Sequence, residues 1–203
     1  MTIGVVDYRA GNLKSVETAL RYLDFRFIIS QEPEKILKTD RLIFPGVGEA
    51  GSAMKVLERT GLGEAIEDFA RSGKLILGIC LGCQIILDRS EESNTRCLGL
   101  IGGIAKMFPL DSGLKIPHMG WNRVFGRQEH FLFKDIPAGA SFYFVHSYYP
   151  LPNLKETEIA YTEYGLRFSS ALAHENITAV QFHPEKSGQY GLLLLKNFLN
   201  RKE

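Results

Sequence analysis

Hydrophobic and polar positions divide the chain into two textures. In the first half, short β-branched runs alternate with helical patterns, the arrangement expected of βαβ units on a parallel sheet. Residues 3–8 (IGVVDY) read as a strand and 13–23 as a helix, because Leu13, Val16, Leu20 and Leu23 recur at helical spacing. Runs at 25–30, 41–45 and 74–79 predict further strands, with helices around 53–57 and 65–70 and from 81 to about 88. Beyond residue 100 the pattern turns to extended segments, at 103–108, 120–125, 141–149, 158–164, 167–174 and 177–185, separated by turns. These predict antiparallel strands, some extending the sheet and some forming a side ribbon, and a last helix over 191–199. The fold class expected is α/β, a mostly parallel central sheet flanked by helices with antiparallel strands in the C-terminal half. No repeat or Pro/Ser-rich linker interrupts it, so residues 1–203 read as a single domain.

Composition narrows the function without selecting one. Of 203 residues, 45% are hydrophobic and 23% charged, enough for a well-buried core. Twenty-four basic against twenty-three acidic side chains give a net charge of +1, so no overall field gathers nucleic acid or an anionic membrane, and the longest basic run is Arg201-Lys202. The first residues lack the pattern of a signal peptide, no run reaches membrane-spanning length, and three cysteines suit a reducing compartment, so the expectation is a cytoplasmic protein.

Candidate chemistry centres on Gly78-Ile79-Cys80-Leu81-Gly82, directly after an apolar strand. An isolated cysteine is most often a small buried hydrophobe. Glycines two positions away on either side instead suit a strand that turns abruptly into a helix, with the thiol projecting from the turn and the helix amides favouring thiolate. Cys80 and Cys83 also form a Cys-x-x-Cys, a redox candidate, whereas zinc is poorly served because only Cys97 remains and the histidines are scattered. A nucleophile needs a base and an orienting carboxylate, and His183-Pro184-Glu185 offers both at the end of an expected strand. The other four histidines read as satisfied or solvent-facing rings.

The loop Gly46-Val47-Gly48-Glu49-Ala50-Gly51 matches the spacing of a dinucleotide fingerprint. Its context argues otherwise, since Glu49 would meet a pyrophosphate and the acids some twenty residues on, Glu67 and Asp68, fall inside a helical pattern. Such a loop can also offer the Val47 amide, with that of Leu81, to an oxyanion formed at Cys80.

In order and spacing over nearly the whole chain, these pieces resemble the class I, or triad, glutamine amidotransferases. "DYRAGNLKSV", "PGVG", "GICLGCQ", "PHMGWN", "HSYY" and "HPEKSG" are similar, within that family, to the glutaminase subunits that serve a cyclase in histidine biosynthesis. The resemblance implies a flavodoxin-like fold and a triad of Cys80, His183 and Glu185 that hydrolyses L-glutamine through a thioester. It implies a glutamine site from Gly46, Gly48, Gln84, Glu92, Ser147 and Tyr148, with a helix-surface amide and a strand hydroxyl as the alternatives for Gln84 and Ser147. Ammonia would pass to a (β/α)8-barrel cyclase subunit in a heterodimer, yielding imidazole glycerol phosphate. Met119, Trp121, Asn122, Tyr143 and Lys186 would face that partner, strand core being the alternative for Met119 and Trp121. No metal or organic cofactor is called for. Related subunits acting on a surface-sugar precursor are the alternative acceptor system. Cys83 departs from the family's bulkier apolar residue, and an oxidative link from Cys80 to Cys83 would switch the enzyme off.

Overall fold

The computed structural model describes residues 1–8, 13–110 and 113–201; Arg9 to Asn12 of the "DYRAGN" segment and Lys202 of the terminal basic pair lie outside them. In chain order the strands are β1 (Ile3–Val6), β2 (Phe27–Ser30), β3 (Arg41–Gly46), β4 (Ile76–Cys80), β5 (Arg89–Ser90), β6 (Thr95–Arg96), β7 (Gly103–Met107), β8 (His118–Gly126), β9 (Ala140–His146), β10 (Tyr148–Pro152), β11 (Glu158–Tyr164), β12 (Leu166–His174) and β13 (Ile177–Val180). The helices are α1 (Lys14–Tyr22), α2 (Pro33–Leu37), α3 (Ala50–Thr60), α4 (Leu62–Arg71), α5 (Leu81–Ile85) and α6 (Gly188–Leu199).

Nine strands form one sheet in the order β2-β1-β3-β4-β13-β12-β11-β8-β9. The first five are parallel, in the 2-1-3-4-5 order of flavodoxin-like folds with β13 in fifth place, and the rest pair antiparallel. The side ribbon is a second sheet, β10-β7-β5-β6.

Alternation along the strands explains the layers. Ile3, Val5, Ile43, Leu77 and Ile79 point to one face and pack with Val16 and Leu20 of α1 and Leu194 and Phe198 of α6. Val6, Leu42, Phe44 and Ile76 point to the other, against Leu57 of α3 and Leu62, Ile66 and Phe69 of α4. Every residue of β4 is buried, as a central parallel strand covered on both faces requires. α3 starts where Glu49 accepts from the amides of Gly51 and Ser52, and ends at Gly61, whose φ of 71° an L side chain rarely adopts.

Five expectations change. α2 was not foreseen, because one turn around a single buried residue, Ile36, is too short to show a period. β5 and β6, two residues each, carry no alternation either. The extended run 141–149 is two strands in different sheets, parted at Ser147. The last strand stops at Val180, and Pro184–Lys186 is a single 3-10 turn, since a proline without an N–H cannot continue a ladder. α6 starts at Gly188, three residues earlier than expected.

Candidate active site

Three neighbouring parallel strands deliver the chemistry at their carboxyl ends. In register, Gly46 of β3 stands opposite Cys80 of β4, and Ile79 opposite Val180 of β13. The loop after β3, the thiol, and the segment 181–185 therefore meet at one edge, where open parallel sheets bind ligands.

Cys80 has φ 53° and ψ −108°, outside the regions open to an L residue without strain. It is the turn from β4 into α5. A Cβ on Gly82 would come 2.0 Å from the Phe44 carbonyl oxygen, and one on Gly78 would come 3.1 Å from that of Gly82. The small neighbours read in the sequence are thus a packing requirement of the elbow. The Cys80 sulfur is buried, with the Val145 carbonyl and Nε2 of Gln181 each 3.7 Å away.

His183 is held by β9: its amide donates to the Tyr143 carbonyl at 2.9 Å. The Ser187 hydroxyl donates to the His183 carbonyl at 2.5 Å and accepts from the Tyr143 amide at 2.9 Å. Nδ1 of His183 lies 2.7 Å from Oε1 of Glu185, both side chains buried. The two side chains meet through the 3-10 turn, where the sequence placed them on one side of a strand end. Burial alone would lower the imidazole pKa, but the nearby Cys80, followed by Glu185, outweighs it and raises the value to about 10. The ring is thus electrostatically coupled to the sulfur, although Nε2 makes no ordinary hydrogen bond among the described residues.

In front of the thiol opens a cavity of about 240 Å³ lined by Val47, Gly48, Cys80, Leu81, Gln84, Glu92, Ser147 and Tyr148, together with Pro117, Val145 and His146. It is smaller than the roughly 300–1,000 Å³ clefts of drug-sized ligands and suits a molecule of amino-acid size. Gly46 lies beneath it, where an added Cβ would come 1.9 Å from the Tyr8 hydroxyl. Gly48 holds φ 105°, a conformation that favours glycine. His183 and Glu185 do not line the cavity.

Gln84 is buried rather than on a helix surface, its amide nitrogen donating to the Tyr148 carbonyl at 2.9 Å and to Oε1 of Gln181 at 3.1 Å. Glu92 accepts from the Ala50 amide at 2.8 Å. Burial raises its carboxyl pKa, the Ala50 amide opposes this, and Glu49 adds to it. Desolvation pushes Glu49 up as well, but hydrogen bonds from Ser52, Gly51 and Ser93 hold it at about 2. A carboxylate of the chain itself thus occupies the helix terminus that a dinucleotide phosphate would need.

Met119 and Trp121 project from one face of β8, each 59% exposed, which removes the strand-core alternative for both. Tyr143 stands opposite Trp121 in register, their ring centroids 6.2 Å apart, and Lys186 is exposed. Asn122 takes the alternate face and donates to the Glu163 carbonyl at 2.9 Å.

The Cys80 and Cys83 thiols are both buried and free and belong to different core clusters, and burial, followed by the nearby Cys80, pushes the Cys83 thiol above its ordinary range. A larger cleft of about 590 Å³ runs between α3, α4 and β6, with Cys97 in its lining. Burial raises that thiol to about 12, and no histidine lines the cleft to serve as its base. Sequence reading missed Gln181, Ser187, His146 and Tyr8; only their adjacency to the quoted motifs could have flagged them.

The family described as glutamine amidotransferase class-I matches residues 4–201. The chain is 45% identical over 197 residues to the imidazole glycerol phosphate synthase subunit HisH of Dehalococcoides mccartyi, covering 97% of this chain and 95% of that one. It is 46% identical over 202 residues to the subunit of the same name from Maridesulfovibrio salexigens, with the same shares covered. In fold it is similar to PurLQS from Thermotoga maritima, with a TM-score of 0.78 at 20% identity over 98% of this chain and 97% of that one.

Proposed function

This chain belongs to the class I glutamine amidotransferases, and from that membership we propose how the residues around Cys80 perform the family's chemistry. It hydrolyses glutamine in histidine biosynthesis, as the glutaminase subunit of imidazole glycerol phosphate synthase. The same relatives favour that acceptor system over a surface-sugar precursor.

Glutamine enters the cavity with its ammonium at Glu92, whose burial without a cation is costly. The Cys80 thiolate attacks the side-chain amide carbon, and His183, which took the thiol proton, returns it to the departing nitrogen, releasing ammonia and leaving a glutamyl thioester. The tetrahedral oxyanion accepts from the amides of Val47 and Leu81, both lining the cavity. Water, deprotonated by the now neutral His183, attacks the thioester, and glutamate leaves as the thiol is regenerated. Glu185 fixes the ring through Nδ1 so that Nε2 is left for the sulfur.

The observation that carries this reading is the buried 2.7 Å contact between Nδ1 of His183 and Oε1 of Glu185, which leaves the buried Nε2 free for the sulfur of Cys80. Ammonia then passes to a (β/α)8-barrel cyclase subunit seated on Met119, Trp121, Tyr143 and Lys186, the pair working in the cytoplasm as a heterodimer. Trp and Met suit such an anchor because they bury large adaptable area. The test is glutaminase activity of the chain alone, with the cyclase, and with the cyclase carrying its ligand. Stimulation that vanishes in Cys80→Ala is expected; equal turnover with and without the cyclase would overturn the assignment of partner, and turnover surviving Cys80→Ala would overturn that of nucleophile.

A further inference from the structure

Two buried rings that the mechanism does not use, His118 and His146, stand between β8 and the cavity. Nδ1 of His146 lies 2.7 Å from the Tyr148 carbonyl oxygen, which can only accept, so that nitrogen carries a hydrogen. Burial lowers His146 to about 3 and His118 to about 4, so both rings are neutral at pH 7. A neutral His146 offers Nε2 as an acceptor, and Nδ1 of His118, 2.9 Å away, must donate to it. That leaves Nε2 of His118 accepting from Nδ2 of Asn122 at 3.2 Å. The Asn122 amide is oriented independently, since Nδ2 also donates to the Glu163 carbonyl at 2.9 Å while Oδ1 accepts from the Arg123 amide at 2.7 Å.

The Tyr148 carbonyl takes a second hydrogen bond, from Nε2 of Gln84, whose other hydrogen goes to Oε1 of Gln181. Nε2 of Gln181 in turn reaches the Cys80 sulfur at 3.7 Å. Each donor on this path has one possible direction.

We propose that the chain of hydrogen bonds from Asn122 through His118 and His146 to the Tyr148 carbonyl, and on through Gln84 and Gln181 to Cys80, is a positioning relay that couples strand β8 to the nucleophile. It rests on reading Cys80 as the nucleophile and the exposed face of β8 as the docking face. Met119 and Trp121 occupy one face of that strand and His118 and Asn122 the other, so whatever seats on the first moves the second. The His118 ring cannot absorb the movement by swinging, because it is stacked between Tyr164, with centroids 4.0 Å apart, and Phe144, at 4.8 Å. A shift of β8 therefore reaches the Tyr148 carbonyl, which the Gln84 amide shares, and through Gln181 the donor aimed at the sulfur.

The relay demands that both rings carry hydrogen on Nδ1, whereas a histidine side chain free in water favours Nε2. Long-range proton–nitrogen NMR of the intact histidine-labelled chain reads this directly. Both rings neutral and Nδ1-protonated at pH 7 is the expected result; hydrogen on Nε2 of either ring, or a charged ring, overturns the relay. His118→Phe keeps the stacked ring and removes both nitrogens. Cyclase-stimulated kcat is expected to fall about tenfold, the rate equivalent of one hydrogen bond, with KM for glutamine changed less than about twofold. His118→Asn, which keeps a donor towards His146, is expected to recover at least about half of the kcat. An unchanged kcat, or a loss confined to KM or to thermal stability, makes His118 merely structural and overturns the proposal. Should the parent lack glutaminase activity, the functional reading fails by itself, while the NMR result still decides whether the relay exists.

Discussion

Nδ1 of His183 and Oε1 of Glu185 lie 2.7 Å apart, both buried. In the mechanism proposed above, a carboxylate so placed fixes the tautomer and steadies the imidazolium formed when the thiol gives up its proton. Glu185→Gln keeps the shape but removes the charge, and its amide can present a donor where an acceptor is needed. Stimulated glutaminase kcat is expected to fall about 10²–10⁴-fold, with glutamine binding by calorimetry little changed.

His183 owes its raised pKa, about 10, chiefly to Cys80, with burial acting in the opposite direction. Removing the sulfur leaves burial opposed by Glu185 alone. In Cys80→Ala the His183 pKa is therefore expected to move downward, so the ring gives up its proton at lower pH than in the parent. An NMR titration of the ring checks the sign; an unchanged pKa would mean that thiol and imidazole do not interact.

Gly82 sits so close to β3 that a Cβ would come 2.0 Å from the Phe44 carbonyl oxygen. A methyl group there forces backbone apart in the middle of the parallel sheet. Gly82→Ala is expected to cost about 3 kcal/mol in denaturant unfolding and to displace the thiol, lowering activity in whatever fraction folds.

Gln181 is fully buried and divides its amide between Gln84 and Cys80. Gln181→Leu conserves much of the volume but removes the donor to sulfur and leaves one hydrogen of Gln84 unpaired. A kcat reduction of about tenfold is expected in a steady-state assay, roughly the value of one hydrogen bond.

Met119 and Trp121 are the exposed large apolar side chains of β8. Each replaced by Ala is expected to weaken cyclase binding by about 1–2 kcal/mol in titration calorimetry, Trp121 more than Met119. Because both point away from the core, the thermal midpoint of the free chain should stay within about 2 °C of the parent.

Much of this was legible before any coordinates. Strands β1, β3 and β4 announced themselves as apolar runs because both their faces are covered, and α1 by the buried Val16 and Leu20 at helical spacing. The glycines around Cys80 were legible because a tight elbow leaves no alternative residue, and the clash distances at Gly78 and Gly82 are the physical form of that signal. What stayed hidden depends on register or on distant partners. Nothing local says that Gln181 reaches Cys80, because that contact exists only once β13 lies beside β4. Asn122 shows the same limit: two-residue alternation on β8 turns it away from Met119 and Trp121, although all three stand in one short motif. Five-residue α2 and the two-residue strands were too short to leave a pattern at all.

The last strand of the large sheet, β13, is inserted between β4 and β12 rather than added at an edge. Cys80 lies far ahead in the chain of β13 and the segment 181–185 that follows it. Placing β13 between β4 and β12 completes the ladder beside β4 and brings His183, the base proposed above, to the same edge of the sheet as Cys80. Any truncation that removes β13 should therefore cost the molecule its fold and its reactivity together.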